Sequence, residues 1–131
     1  MKLLNNDNYV DLAEKAIKSL DNEKNDHGRP IRRVVTTSQI RNLLAMTADI
    51  YNEVMLLRQE QLDEELKGKI SYLRVRCLYE AGRDESVKAF VQNSSLLEIL
   101  PTIVTKKDYI LFNHYMESLI AWHKYCHGKD S

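Results

Sequence analysis

The sequence predicts an all-α protein, a compact bundle of about five helices forming a single domain. Three observations carry that expectation. Apolar residues recur at helical spacings through most of the chain. No alternating apolar and polar run of strand length stands out. Only four glycines and two prolines interrupt 131 residues. That length suits one domain, and folding at this size buries roughly two-thirds of the extended-chain surface.

The elements follow in order. Asp7 or Asn8 caps a short first helix with Tyr9, Leu12, Ala13, Ala16, Ile17 and Leu20 on one face. Asp21 to Arg33 is polar and charged and contains Gly28 and Pro30, the composition of a flexible loop. The segment 1–34 thus reads as a helix plus a charged loop, and 35–128 as the helical-bundle domain. The second helix opens on Thr36-Thr37-Ser38-Gln39, a capping box in which Thr36 and Gln39 satisfy each other's orphan amides. Val35 and Ile40 sit where a hydrophobic staple places them. Its apolar face runs from Ile40 through Val54 and Met55, and the helix continues to about Arg58.

A third helix runs from about Asp63 to Ala81, with Gly82 at the left-handed position just past its end. Asp84 caps a fourth helix carrying Val87, Phe90 and Val91, which Ser94 and Ser95 break. Leu96 to Val104 is a short helical piece, irregular around Pro101. The last helix runs from about Lys106 to His127, with Tyr109, Phe112, Met116, Leu119, Ile120 and His123 inward and Trp122 on a shoulder.

Formal net charge is zero, so a polyanion site has to be a local patch. Charge is uneven along the chain. Gly28 to Arg41 holds four arginines and no acid, whereas Asn42 to Glu65 holds six acids and one arginine. Cys77 and Cys126 lie far apart inside helical patterns, which suits buried thiols in a reducing cytosol rather than a disulfide framework. The first residues lack the hydrophobic stretch of a signal peptide, and no apolar run approaches the roughly 18 residues of a spanning helix. The expectation is a soluble cytoplasmic protein without membrane contact.

The third helix carries the most informative chemistry. Lys69, Tyr72, Arg76, Tyr79 and Arg83 recur at spacings of three and four and form one stripe. Leu66, Ile70, Leu73, Cys77 and Ala81 form an apolar seam on roughly the opposite face. Cations interleaved with phenol rings suit a polyanion that also offers stacking faces. The same spacing equally describes a solvated face with tyrosines packed on a neighbour and cations in ion pairs. Arg74 falls nearer the seam, where a cation snorkels or pairs with a carboxylate. Arg41 shares a flank of the second helix with Ala45, Ala48 and Asn52, small residues that admit either another helix or an RNA backbone.

Catalytic chemistry finds little support. His123, Cys126 and His127 lie within one turn but make an incomplete metal site, so no metal or other cofactor is expected. No carboxylate pair beside a histidine suggests a general acid and base. There is no glycine-rich phosphate loop and no nucleophile elbow.

Three segments carry a family resemblance. Thr36-Thr37-Ser38-Gln39-Ile40-Arg41 resembles the Thr-Thr-Ser-x-(Ile/Leu)-Arg start of the main helix in the Csm small subunit family, the second Csm subunit of type III-A CRISPR effector complexes. Tyr72 to Arg83 is similar to that family's Tyr-Leu-(Arg/Lys)-x-(Arg/Lys)-x-x-Tyr-Glu-Ala-Gly-Arg signature, and Tyr115 to Tyr125 to its closing segment. Order and spacing agree, and the resemblance spans about Val35 to Gly128.

The resemblance implies a helical bundle with no catalytic activity of its own. Several copies would stack beside the Csm backbone subunits that grip the crRNA, near the large polymerase/cyclase-type subunit. They would hold the crRNA–target RNA duplex, mainly along the target strand. Carried over by position, Arg41, Arg74, Arg76 and Arg83 are the motif cations, and Lys69 joins them through the stripe alone. Two other readings stay open: a helical adaptor whose basic stripe meets an acidic protein partner, and a small ribonuclease using His114 or His123.

Overall fold

The computed structural model describes residues 4–20 and 35–127. Among them the chain forms α1 (Tyr9–Ser19), α2 (Thr37–Met55), α3 (Glu64–Arg83), α4 (Glu85–Asn93), α5 (Leu96–Ile99) and α6 (Lys106–His127). A single 3₁₀ turn, Leu100–Thr102, follows α5. The β pairing among the described residues is one isolated antiparallel bridge, Gln61 to Thr105. This is the all-α bundle expected, with the irregular piece around Pro101 resolved into α5 and the 3₁₀ turn. The charged 21–34 segment expected to be a flexible loop lies outside the described residues.

α6 is the central element. α1 and α2 pack on it, α4 joins α3 to α1, and α5 lies against α3 and α4. Tyr109, Phe112, Met116 and Leu119 of α6 meet Ile17 of α1, Ile40 and Leu43 of α2 and Phe90 of α4 in one core. α1 belongs to that core through Ala13, Ala16, Ile17 and Leu20. Burying each large apolar side chain stabilises the fold by roughly 1.5–3 kcal/mol.

Buried polar groups fix the register of the helices. The Tyr109 hydroxyl donates to the Thr47 carbonyl at 2.7 Å, pinning α6 to α2. The Tyr115 hydroxyl donates to the Ser94 carbonyl at 2.7 Å, pinning α6 to the end of α4. Burial pushes both phenols well above their usual ionisation range. Ser95, next to that pin, has φ of 59°, a left-handed conformation that costs a residue with a Cβ roughly 1–2 kcal/mol.

His123 is wholly buried. Its Nε2 donates to the Val35 carbonyl at 2.6 Å, and its Nδ1 pairs with the Thr37 hydroxyl at 3.1 Å. This ties the end of α6 to the start of α2.

The starts of α2, α3 and α4 follow their caps, whereas Asn8 stands at the cap position of α1 without a side-chain cap hydrogen bond. The Gln39 amide donates to Thr36 Oγ1 at 3.1 Å and the Thr36 amide to Gln39 Oε1 at 2.9 Å, completing the capping box. The staple residues Val35 and Ile40 are fully buried. Asp63 Oδ1 caps α3 by accepting from the Leu66 amide at 2.9 Å.

Three local expectations are corrected. α2 ends at Met55 rather than near Arg58. There Leu56 and Leu57 donate to carbonyls three residues back, tightening the helix end before the chain turns to bury Leu62. Gly82 does not terminate α3 in a left-handed turn; the helix continues through it to Arg83 and ends at extended Asp84. Asp84 is a better stop because its side chain accepts from the Ser86 amide and starts α4. Finally, Cys77 is buried but Cys126 is exposed. Burial pushes the Cys77 thiol up to about 11.

Candidate nucleic-acid interface

The two faces of α3 separate as the spacing predicts. Leu66, Ile70, Leu73, Cys77 and Ala81 are buried. Lys69, Tyr72, Arg76, Tyr79 and Arg83 come out on the other side, where Tyr72 is 62% and Tyr79 54% exposed. This stripe forms one wall of a groove between α2 and α3. One end is lined by Gln39, Asn42, Met46, Arg76, Glu80 and Arg83. The other is lined by Asp49, Glu53, Glu65, Lys69 and Tyr72. Toward α4 the groove sets Arg76 and Arg83 against Glu80 and Asp84, whereas toward the far end of α2 the acids Asp49, Glu53 and Glu65 outnumber Lys69 and Arg76.

Packing sorts the five predicted cations into different environments. Lys69 Nζ donates to both carboxylate oxygens of Glu53 of α2, at 2.6 and 2.7 Å, with Glu65 at 3.7 Å. The Glu53 hydrogen bond raises its pKa. Lys69 is thus an α2–α3 clasp. Arg74, expected off the stripe near the seam, pairs with a backbone carbonyl rather than a carboxylate: its Nε donates to Leu97 of α5 at 3.0 Å. Arg41 is exposed on an outer ridge of α2 with Ala45, Ala48 and Asn52, so no helix among the described residues covers that flank.

Arg76 and Arg83 are the two that come together. Arg76 Nη2 lies 3.1 Å from Glu80 Oε2, and Arg83 Nη1 lies 3.6 Å from Glu80 Oε1. Both guanidiniums also lie over the Tyr79 ring, at 5.3 and 5.5 Å from its centre. One comes from the turn before Tyr79 and one from the turn after, so this ring makes cation–π contacts with both. Tyr72 keeps its ring open and makes no ring contact among the described residues.

The groove wall opposite is held by Gln39. Its Nε2 donates to Asp84 Oδ2 at 3.0 Å while its Oε1 completes the capping box. The start of α2 is thereby fastened to the α3–α4 junction beside Arg83. Hydrogen bonds from Ser86, then Gln39, hold the Asp84 carboxyl below the usual carboxylate range.

The arrangement offers two close, partly exposed guanidiniums on a rigid helix with planar donors suited to phosphate oxygens. Among the described residues no group of three or more His, Cys, Asp or Glu side chains could hold a metal ion. No helix there is long and apolar enough to cross a membrane. His123, one of the two histidines on which a ribonuclease reading rests, is engaged inside the core.

Glu80 is the participant that sequence reasoning missed. Its i, i+4 and i, i+3 spacings to Arg76 and Arg83 were the available signal.

Comparison with known proteins places this chain in a family. The model of the family described as Csm2 Type III-A matches residues 14–129. The chain belongs to the Csm2 type III-A family. A relative from Mycobacterium tuberculosis (strain CDC 1551 / Oshkosh), named CRISPR system Cms protein Csm2, is 42% identical over 125 residues, covering 95% of each chain. A Streptococcus thermophilus protein of the same name is 39% identical over 130 residues, covering 99% of this chain and all of the relative. One from Enterococcus italicus is 27% identical over 122 residues, covering 88% of this chain and 87% of its own. The Csm2 likeness thus reaches back into α1, beyond the Val35 to Gly128 span that the three motifs cover.

Proposed function

We propose that this Csm2-family chain is a non-catalytic structural small subunit of a type III-A CRISPR (Csm) effector complex in cytoplasmic antiviral defence. Several copies stack along the crRNA–target RNA duplex, each touching the target backbone through the Arg76–Arg83 end of α3. The observation that carries this reading is the pairing of those two guanidiniums on an exposed, rigid helix face at the α4 end of the α2–α3 groove.

Arg41 supplies a further phosphate contact from the open ridge of α2. Lys69 and Arg74 contribute less, because Glu53 and the Leu97 carbonyl already engage them. Guide pairing reads the sequence, so backbone contacts suffice. Three phosphate contacts, from Arg41, Arg76 and Arg83, give a salt slope of about −2.1, at roughly −0.7 per single-strand contact. One copy therefore binds weakly, and stacking along one RNA supplies the avidity.

The acidic groove end, with Asp49, Glu53 and Glu65, suits a basic neighbour such as a backbone subunit. Exposed Val75 and Leu78 on α3 and Tyr125 on α6 suit protein contacts with other copies, the backbone subunits or the large subunit.

The test is to change Arg76 and Arg83 to Glu in the assembled complex and measure target-RNA retention. A marked loss with an unchanged helical spectrum is expected. Unchanged retention refutes the assignment and favours the adaptor reading, in which the stripe meets an acidic protein.

A further inference from the structure

We infer that Glu80 is a positioning residue that sets how tightly each copy grips RNA, by sharing one carboxylate between the two phosphate-contacting arginines. The inference rests on the reading of Arg76 and Arg83 as those contacts.

The geometry is specific. Each carboxylate oxygen faces a different guanidinium, Oε2 toward Arg76 at 3.1 Å and Oε1 toward Arg83 at 3.6 Å. The Glu80 side chain is the least exposed of the three, 28% against 38% and 62%. It sits at the floor of the cluster while the cations reach outward. The same two guanidiniums lie over the Tyr79 ring.

The helix dipole does not favour an acid here. Glu80 lies in the last turn of α3 (Glu64–Arg83), where the negative end of the helix dipole disfavours a carboxylate. Its i, i+4 partner Arg76 is on the N-terminal side, the poorer orientation, and its i, i+3 partner Arg83 on the C-terminal side, the better one. What the position does accomplish is to orient both arginines and lower the charge of the cluster from two to one. A guanidinium has five donors, so Arg76 hydrogen-bonds Glu80 through one of them, Arg83 pairs with it by charge at 3.6 Å, and both keep donors for a phosphate. An attenuated contact suits a subunit whose hold comes from repetition along one RNA.

The test measures binding of the full-length chain to a short single-stranded oligouridylate by fluorescence anisotropy across a salt series. Glu80→Gln should bind more tightly, on the order of threefold at low ionic strength, the effect of one unit charge roughly 6 Å from a phosphate in water. The gain should fade toward 1 M salt, where the screening length is about 3 Å. It should also disappear when Arg76 and Arg83 are both Gln. Glu80→Ala, as a second variant, should move affinity in the same direction.

If neither variant binds more tightly than the parent, including the case in which none binds, the inference is overturned. Failure of the underlying reading looks different: Arg76→Gln and Arg83→Gln would then leave RNA binding unchanged while Glu80 is intact.

Discussion

Replacing His123 with Leu tests how the bundle holds the groove in shape. The side chain is fully buried and bridges the end of α6 to the start of α2. Leucine fills a similar volume, so the main loss is polar. The Val35 carbonyl loses the Nε2 donor and the Thr37 hydroxyl loses Nδ1. An orphaned buried group costs about 1–3 kcal/mol. Two such groups, offset by the apolar gain of leucine, make a loss of about 2–4 kcal/mol. For a domain of this size 1 kcal/mol moves Tm by roughly 3–5 °C, so Tm should fall by about 6–20 °C. Urea denaturation and thermal melting followed by circular dichroism measure both quantities. Thr37→Val removes one partner and should cost about 1 kcal/mol. The two changes combined should cost less than their sum, because they share one interaction. A His123→Leu chain within about 0.5 kcal/mol of the parent would refute the bridge.

Further outcomes follow from the same geometry. Asp84 has a depressed folded-state pKa, so its contribution is present above the unfolded carboxylate value near 3.9 and is lost as pH falls through the lower folded value. The stability gap between parent and Asp84→Asn should therefore stay constant from about pH 5 to 8 and close below about pH 4 in urea titrations. Native alkylation with iodoacetamide should label exposed Cys126, whereas buried Cys77, with its raised thiol, should react only after denaturation. Lys69→Gln and Arg74→Gln should leave target-RNA retention by the complex near the parent level. Arg76→Gln or Arg83→Gln should each make the RNA salt slope shallower by about 0.7.

Local rules carried much of the fold in the sequence. Thr36 with Gln39, Asp63 and Asp84 each satisfy an orphan amide within three residues, so those helix starts were legible. The seam of α3 and the inner face of α6 were legible because period sets which side is buried. Contacts between distant segments were not. The end of α2 depends on a reversal that brings Glu60 to Gln61 against Thr105 and Lys106, and no local pattern announces that. Gly82 also misled, because glycine permits a left-handed turn without requiring one.

The site divided in the same way. The stripe followed from spacing, and Arg76 and Arg83 stayed together because they and Glu80 lie on one helix. Lys69 was diverted by Glu53, sixteen residues earlier, and Arg74 by a carbonyl of α5. Both partners are set by packing between helices. His123 was legible as an inward residue of α6, but its bonds to Val35 and Thr37 required the docking of α2.

The central claim is that the Arg76–Arg83 face of α3 lies on the target-RNA backbone. A structure of the assembled complex with crRNA and target RNA bound tests it directly, through the distance from each guanidinium to the nearest target-strand phosphate oxygen. The account predicts both within about 4 Å in successive copies, the range of an ion pair. A complex in which this face of α3 is sealed against a protein neighbour, with the RNA on another surface, would contradict it.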